Sequence, residues 1–245
     1  MASAVSTTGL RVDYGDHLAL DQVTLDIPEV SSLAVIGSNG SGKSTLLGAI
    51  AGAVTPTAGE VRITGAAPAL VLQATAVDAS LPITVRETVA LARYPNIGLL
   101  KRPSKQDREA IQTAMERLNV ADLADKQIHD LSGGQRQRVM VAQGLAQDTG
   151  VLLLDEPVSG LDVTSHSMIL DLIDAEVAAG RTVVVTTHNL DEARRCDQVL
   201  LLKTTPVAFG SPSEVLTEEN LRAAFGGHFV RIGDGFMLDD GSHHH

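Results

Sequence analysis

Gly37-Ser38-Asn39-Gly40-Ser41-Gly42-Lys43-Ser44 has the glycine, lysine and hydroxyl spacing G-x-x-x-x-G-K-S/T, which suits the cradling of a nucleotide's phosphates. The glycines let the backbone curl so that successive N–H groups point inward at anionic oxygens. A helix opening directly after the loop adds the positive end of its dipole. Lys43 is placed to reach the β- and γ-phosphates of ATP, Ser44 to ligate Mg²⁺ and Thr45 to touch the α-phosphate. A glycine- and serine-rich turn that binds nothing needs no particular neighbours. Here an apolar run, Ser32 to Ile36, precedes the loop and a helical pattern, Ser44 to Ala51, follows it.

Val151-Leu152-Leu153-Leu154-Asp155-Glu156 is an apolar run ending in two acids. The end of a buried strand is a costly place for two carboxylates unless a cation or a phosphate-bound water is near. Asp155 is expected to orient the Mg²⁺ shell and Glu156 to polarise an attacking water as general base. Leu131-Ser132-Gly133-Gly134-Gln135 supplies a second anion site, because Ser132 and the two glycines open another helix. One chain then carries two phosphate sites for one nucleotide. A dimer resolves the mismatch: the 131–135 segment of one subunit closes on the γ-phosphate held by the other.

These groups need rigid elements behind them. Residues 5–14 and 18–27 read as strands about the turn Gly15-Asp16, and 32–36, 60–64 and 69–72 as further strands, the last ending at Gln73. From about 84 to 148 the pattern turns helical, with Thr84/Glu87 and Ser104/Asp107 as capping boxes and a helix from Gly133 to Gln147. Strands at 151–154, 182–187 and 198–202 alternate with helices at 163–179 and 189–196, which argues for a parallel sheet. A hairpin is expected at 229–232 and 236–238.

Hydrophobic residues make up 44% of the 245-residue chain and aromatics only 2%, so the core must be aliphatic, as suits a sheet buried on both faces. The net charge of −11 disfavours nucleic-acid binding. Cys196 stands alone, so no internal disulfide forms and a reducing compartment is expected. Met1 to Thr8 lacks the pattern of a signal peptide, and no run reaches the roughly 18 apolar residues of a membrane span. His17, His129, His166 and Cys196 lack metal-ligand spacing. Gly241 to His245 reads as a linker and part of a purification tag.

The order of these motifs resembles that of the ATP-binding-cassette (ABC) ATPases over nearly the whole chain. Tyr14 matches the family's adenine-stacking aromatic residue, Gln73 its Q-loop glutamine, and Leu131 to Gln135 its signature. Ser159-Gly160-Leu161-Asp162 looks like the D-loop that crosses the dimer interface, and His188 like the switch histidine that contacts the γ-phosphate. Ser38 stands where many relatives have Pro, at a position whose backbone amide does the binding. The resemblance implies an α/β P-loop NTPase of the ABC-ATPase fold, with a RecA-like core, an N-terminal antiparallel β-subdomain and an inserted α-helical subdomain at about 75–150, all in one domain spanning 1–240. It assigns Lys43, Glu156 and His188 to catalysis, and Ser44, Gln73 and Asp155 to Mg²⁺.

DNA-repair relatives carry long coiled coils between P-loop and signature, and translation-factor relatives carry two cassettes; this chain has neither. A transporter subunit is therefore expected, at the cytoplasmic face of the membrane. It would form an ATP-bound homodimer, dock an integral membrane permease on the helical insertion, and serve an extracytoplasmic substrate-binding protein indirectly. The basic cluster Lys101, Arg102, Lys105 and Arg108 lies on that insertion. Leu81 to Val85, Val141 to Gln147 and the short C-terminal extension resemble the ATPases of zinc, manganese and iron-chelate uptake. The alternatives are a soluble ABC ATPase uncoupled from transport and a non-hydrolysing nucleotide-dependent regulator.

Overall fold

A computed structural model describes residues 2–73, 82–97, 103–226, 229–232 and 235–238. In chain order it begins with β1 (Ser3–Tyr14), β2 (His17–Pro28), β3 (Ser32–Ile36), α1 (Lys43–Ile50), β4 (Ala58–Ile63) and β5 (Ala69–Val71). Four helices follow: α2 (Val85–Ala90), α3 (Tyr94–Ile97), α4 (Lys105–Arg117) and α5 (Gly133–Ala146). Alternation then returns with β6 (Val151–Asp155), α6 (Val163–Ala178), β7 (Thr182–Thr187), α7 (Leu190–Arg194), β8 (Gln198–Lys203) and β9 (Thr205–Gly210). The described part closes with α8 (Pro212–Val215), α9 (Glu218–Phe225), β10 (Phe229–Ile232) and β11 (Gly235–Leu238). The expectations placed on Leu81, Lys101, Arg102 and Gly241 to His245 fall outside the described residues.

Among the described residues two larger sheets organise the chain, beside the antiparallel pair β10-β11 expected at 229–232 and 236–238. One is antiparallel, in the order β2-β1-β4. The other has six strands in the order β5-β6-β7-β3-β8-β9, parallel throughout except for the last pair. Every residue of β3, β6 and β7 is buried, which is why β3 and β6 read as largely apolar runs and β7 as a continuous β-branched run rather than as alternating patterns. Period two still sorts their side chains. Leu33, Val35, Leu153 and Val184 join the apolar layer of β1, β2 and α1, while Ala34, Ile36, Leu154 and Val185 join that of α5 and α6. A fully buried leucine such as Leu153 contributes about 2 kcal/mol by transfer from water.

The helical run is held by local and long-range devices. Thr84 with Glu87 and Ser104 with Asp107 form the expected capping boxes. Arg93 then ties three elements together. Its Nε donates to Asp107 Oδ1 at 2.9 Å and its Nη1 to the carbonyls of Ala146 and Gln147 at 3.1 and 3.3 Å. Glu176 on α6 is fully buried and paired with Arg117 of α4 and Arg181, fastening the helical run to the sheet layer. Removing one partner of such a buried charge costs about 4 kcal/mol.

Strands β1 to β8 and helices α1, α2, α4, α5, α6 and α7 match the sequence expectations to within a few residues. The segment 205–225 does not, since β9, α8 and α9 were not expected. β9 is an edge strand carrying Pro206, which can donate no ladder hydrogen bond and so masks the strand pattern.

Candidate functional site

The loop after β3 is shaped by two glycines. Gly42 has φ +98°, and a Cβ there would lie 2.5 Å from the Ala19 carbonyl and 2.6 Å from Leu20 Cδ2. A Cβ on Gly37 would lie 2.3 Å from the Leu202 carbonyl. The loop is thus pressed between β2 and β8, and the Ser41 carbonyl accepts the Thr204 N–H at 2.9 Å. Lys43, the first residue of α1, is buried at 6% exposure, and its Nζ donates to the Gly37 carbonyl at 2.8 Å. A second, longer bond reaches the Ser38 carbonyl at 3.4 Å.

Asp155 ends β6 beside this loop, and a residue of β7 sets its orientation. The Thr186 hydroxyl donates to Asp155 Oδ1 at 2.6 Å and accepts the Glu156 N–H at 2.8 Å. Glu156 takes φ +45°, a left-handed conformation that a non-glycine side chain adopts at a cost. The turn brings Glu156 Oε1 to 3.7 Å from Lys43 Nζ.

These groups share one cleft of about 580 Å³, lined by Tyr14, Asn39 to Thr45, Gln73, Asp155 and Glu156. Tyr14 stands at 52% exposure, with an accessible ring face. His17, named in the sequence only among residues without metal-ligand spacing, and Ala19, not singled out there, also line the cleft. Their signal was weak, because they belong to a strand whose partner, not its pattern, brings them there.

The remaining predicted residues gather elsewhere. Ser159, Gly160, Leu161 and His188 line a second cleft of about 230 Å³, and Glu156 lines both. Asp162 caps α6, accepting the Ser165 N–H at 3.0 Å, and that bond leads the effects that hold its carboxyl below the usual range. No residue of Leu131 to Gln135 lines the cleft that holds Lys43. Ser132 instead caps α5 in a reciprocal pair with Gln135, its hydroxyl accepting the Gln135 N–H at 3.2 Å. A Cβ on Gly134 would lie 3.0 Å from Asp162 Oδ2, so the 131–135 and 159–162 segments pack on each other.

Among the described residues, no three His, Cys, Asp or Glu side chains converge as a metal site. Burial pushes the Cys196 thiol up to about 12, leaving it protonated. No helix of the described residues is long and apolar enough to cross a membrane.

Residues 20–159 match the family described as "ABC transporter". A manganese transport system ATP-binding protein from Synechocystis is 38% identical over 91% of this chain and 90% of its own length. A zinc transport system ATP-binding protein from Treponema pallidum is 37% identical over 92% of this chain and 88% of its own. A probable siderophore transport system ATP-binding protein from Bacillus subtilis is 38% identical over 91% and 86%. A solved structure described as an inward-facing metal-chelate type ABC transporter superposes with a TM-score of 0.84 at 30% identity, covering 96% of each chain.

Proposed function

The chain belongs to the ABC transporter family and is an ATPase of that family, and we propose that it powers uptake of a transition metal, as manganese or zinc ions or as an iron chelate, through a separate membrane permease. The observation that carries the ATPase chemistry is the single cleft in which loop 39–45, Asp155 and Glu156 meet. The metal class is supported by the relatives above, whose names specify manganese, zinc and siderophore transport.

The residues divide the work. The amides of Gly37 to Thr45 and the start of α1 hold the phosphates, with Lys43 neutralising β- and γ-phosphate charge. Tyr14 offers adenine a stacking face. Glu156 takes a proton from the water that attacks the γ-phosphate in line, and His188 contacts that phosphate from the second cleft. Ser44, Gln73 and Asp155 line the cleft with oxygen donors only, the set that fits Mg²⁺. When bound there, Mg²⁺ neutralises charge on the phosphoryl oxygens. Ser132 to Gln135 complete the site of a second copy, so the ATP-bound state is a homodimer and the Ser159 to Asp162 loop lies at its interface.

The permease docks on the helical run, where Pro82, Ile83, Glu87, Ala90, Leu91 and Tyr94 line a groove of about 360 Å³. Leu91 and Tyr94 are exposed there at 46% and 40%. With the permease docked there, the chain sits at the cytoplasmic face of the membrane and reaches an extracytoplasmic binding protein only through the permease. The acidic balance disfavours a nucleic-acid partner. Uptake of labelled manganese, zinc and ferric chelate, compared between cells with and without this chain, tests the reading. A defect in one of the three is expected, and normal uptake of all three sinks the metal assignment.

A further inference from the structure

Glu192 of α7 is only 9% exposed, and both of its carboxylate oxygens are engaged. Oε1 meets His166 Nε2 at 2.9 Å, and because a carboxylate only accepts, Nε2 carries the proton. Oε2 accepts the Thr187 hydroxyl, which in turn accepts the Asn189 N–H at 3.0 Å. Thr187 and Asn189 flank His188, so the residues on both sides of that imidazole are linked to Glu192 through the Thr187 hydroxyl. The far end of the chain is fixed as well. His166 lies in the first turn of α6, its N–H bonded to the Asp162 carbonyl at 2.9 Å. His166, Glu192 and Thr187 all border the small cleft that Glu156 and His188 share.

The geometry points to His166, Glu192 and Thr187 as positioning residues that hold His188 in place and couple that placement to the 159–162 loop. The inference rests on the reading of His188 as the γ-phosphate contact. A buried carboxylate needs its hydrogen bonds wherever it sits. Here, however, the bonds come from two separate elements: β7 leads directly into His188, and α6 is capped by Asp162 of the 159–162 loop. None of the three lines the cleft that holds Lys43, and Thr187 directly precedes His188, so their effect on rate is read through His188.

Single-turnover ATP hydrolysis, steady-state kinetics and thermal melting of the full chain test the inference. Thr187→Val, Thr187→Ser, Glu192→Gln and His166→Leu are each made alone and combined with His188→Ala. Thr187→Val is expected to lower kcat about tenfold or more, with KM and nucleotide affinity changed less than about threefold, since misplacement costs rate rather than binding. Thr187→Ser keeps the hydroxyl and should restore most of the rate. In the His188→Ala background Thr187→Val should cause no further loss, because coupled residues are not additive. Equal losses in both backgrounds, or a lower Tm with kcat retained, overturn the chain of positioning residues. Should Thr187→Val not fold, His166→Leu at its more exposed site is compared in the same two backgrounds, and additivity there has the same force. If His188→Ala itself keeps its turnover, the reading of His188 fails and takes the inference with it. An impaired His188→Ala with additive partners overturns the inference alone.

Discussion

Lys43 Nζ stands 3.7 Å from Glu156 Oε1, so the phosphate-loop lysine and the proposed general base are already neighbours within one chain. Lys43 donates at the same time to the Gly37 carbonyl. The ammonium is therefore held at the centre of the cleft by two elements, β3's loop and the end of β6. The same contact holds the Glu156 carboxylate on the cleft side of its strained turn.

Glu156→Gln keeps the shape of the side chain and removes its capacity to accept a proton from water. ATP binding should persist while hydrolysis falls by about 10² or more, in the range general bases supply. The variant should accumulate as an ATP-bound dimer by size-exclusion chromatography. Near-normal phosphate release would show that Glu156 is not the base.

Thr186→Val removes the hydroxyl that donates to Asp155 Oδ1 and accepts the Glu156 N–H. Both acids lose their register, so kcat should drop by about tenfold or more and the Mg²⁺ concentration for half-maximal rate should rise. Thr186→Ser should recover most of both. An unchanged Mg²⁺ dependence in Thr186→Val would remove the hydroxyl from the set that orients Asp155.

Ser132→Arg places a large cation at the start of α5, outside the lining of the cleft that holds Lys43. Loss of the cap costs about 1 kcal/mol of stability, too little to unfold the chain. Binding of ATP to the monomer should be retained, and ATP-driven dimerisation, followed by light scattering, should be lost. Weakened monomer binding would count against a site completed by a second copy.

Asp107 predicts a pH effect with a definite sign. Hydrogen bonds from the Ser104 hydroxyl, the Ser104 N–H and Arg93 hold its carboxyl at about 2, below its ordinary 3.8. A depressed folded-state value means the stabilisation is complete above 3.8 and disappears as pH falls through about 2. The stability gap between the wild-type chain and Asp107→Asn in urea unfolding should therefore be constant from pH 7 to 5 and shrink steadily below about pH 4. A gap that widens on acidification would contradict the assignment.

Residues that act through their own neighbours in sequence were readable without a structure. The 37–45 loop and the capping boxes at Thr84 and Ser104 depend on contacts a few positions apart, and the chain spells those out; Asp155 and Glu156 announce themselves by closing an apolar run. The largely apolar runs of β3 and β6 and the β-branched run of β7 likewise announce burial on both faces. Tertiary structure alone decided what required distant segments to meet. Thr186 orients Asp155 across 31 positions of sequence, and His166 reaches Glu192 across 26. A threonine at the end of a β-branched strand, or a histidine on a helix, shows no periodicity that distinguishes a structural residue from a positioning one. The sheet order β5-β6-β7-β3-β8-β9 creates those meetings, because it sets β7 between β6 and β3 and so brings the ends of three strands, with Lys43, Asp155 and His188 near them, to one edge. Strand order depends on which apolar faces pack together in three dimensions, and no local pattern encodes it.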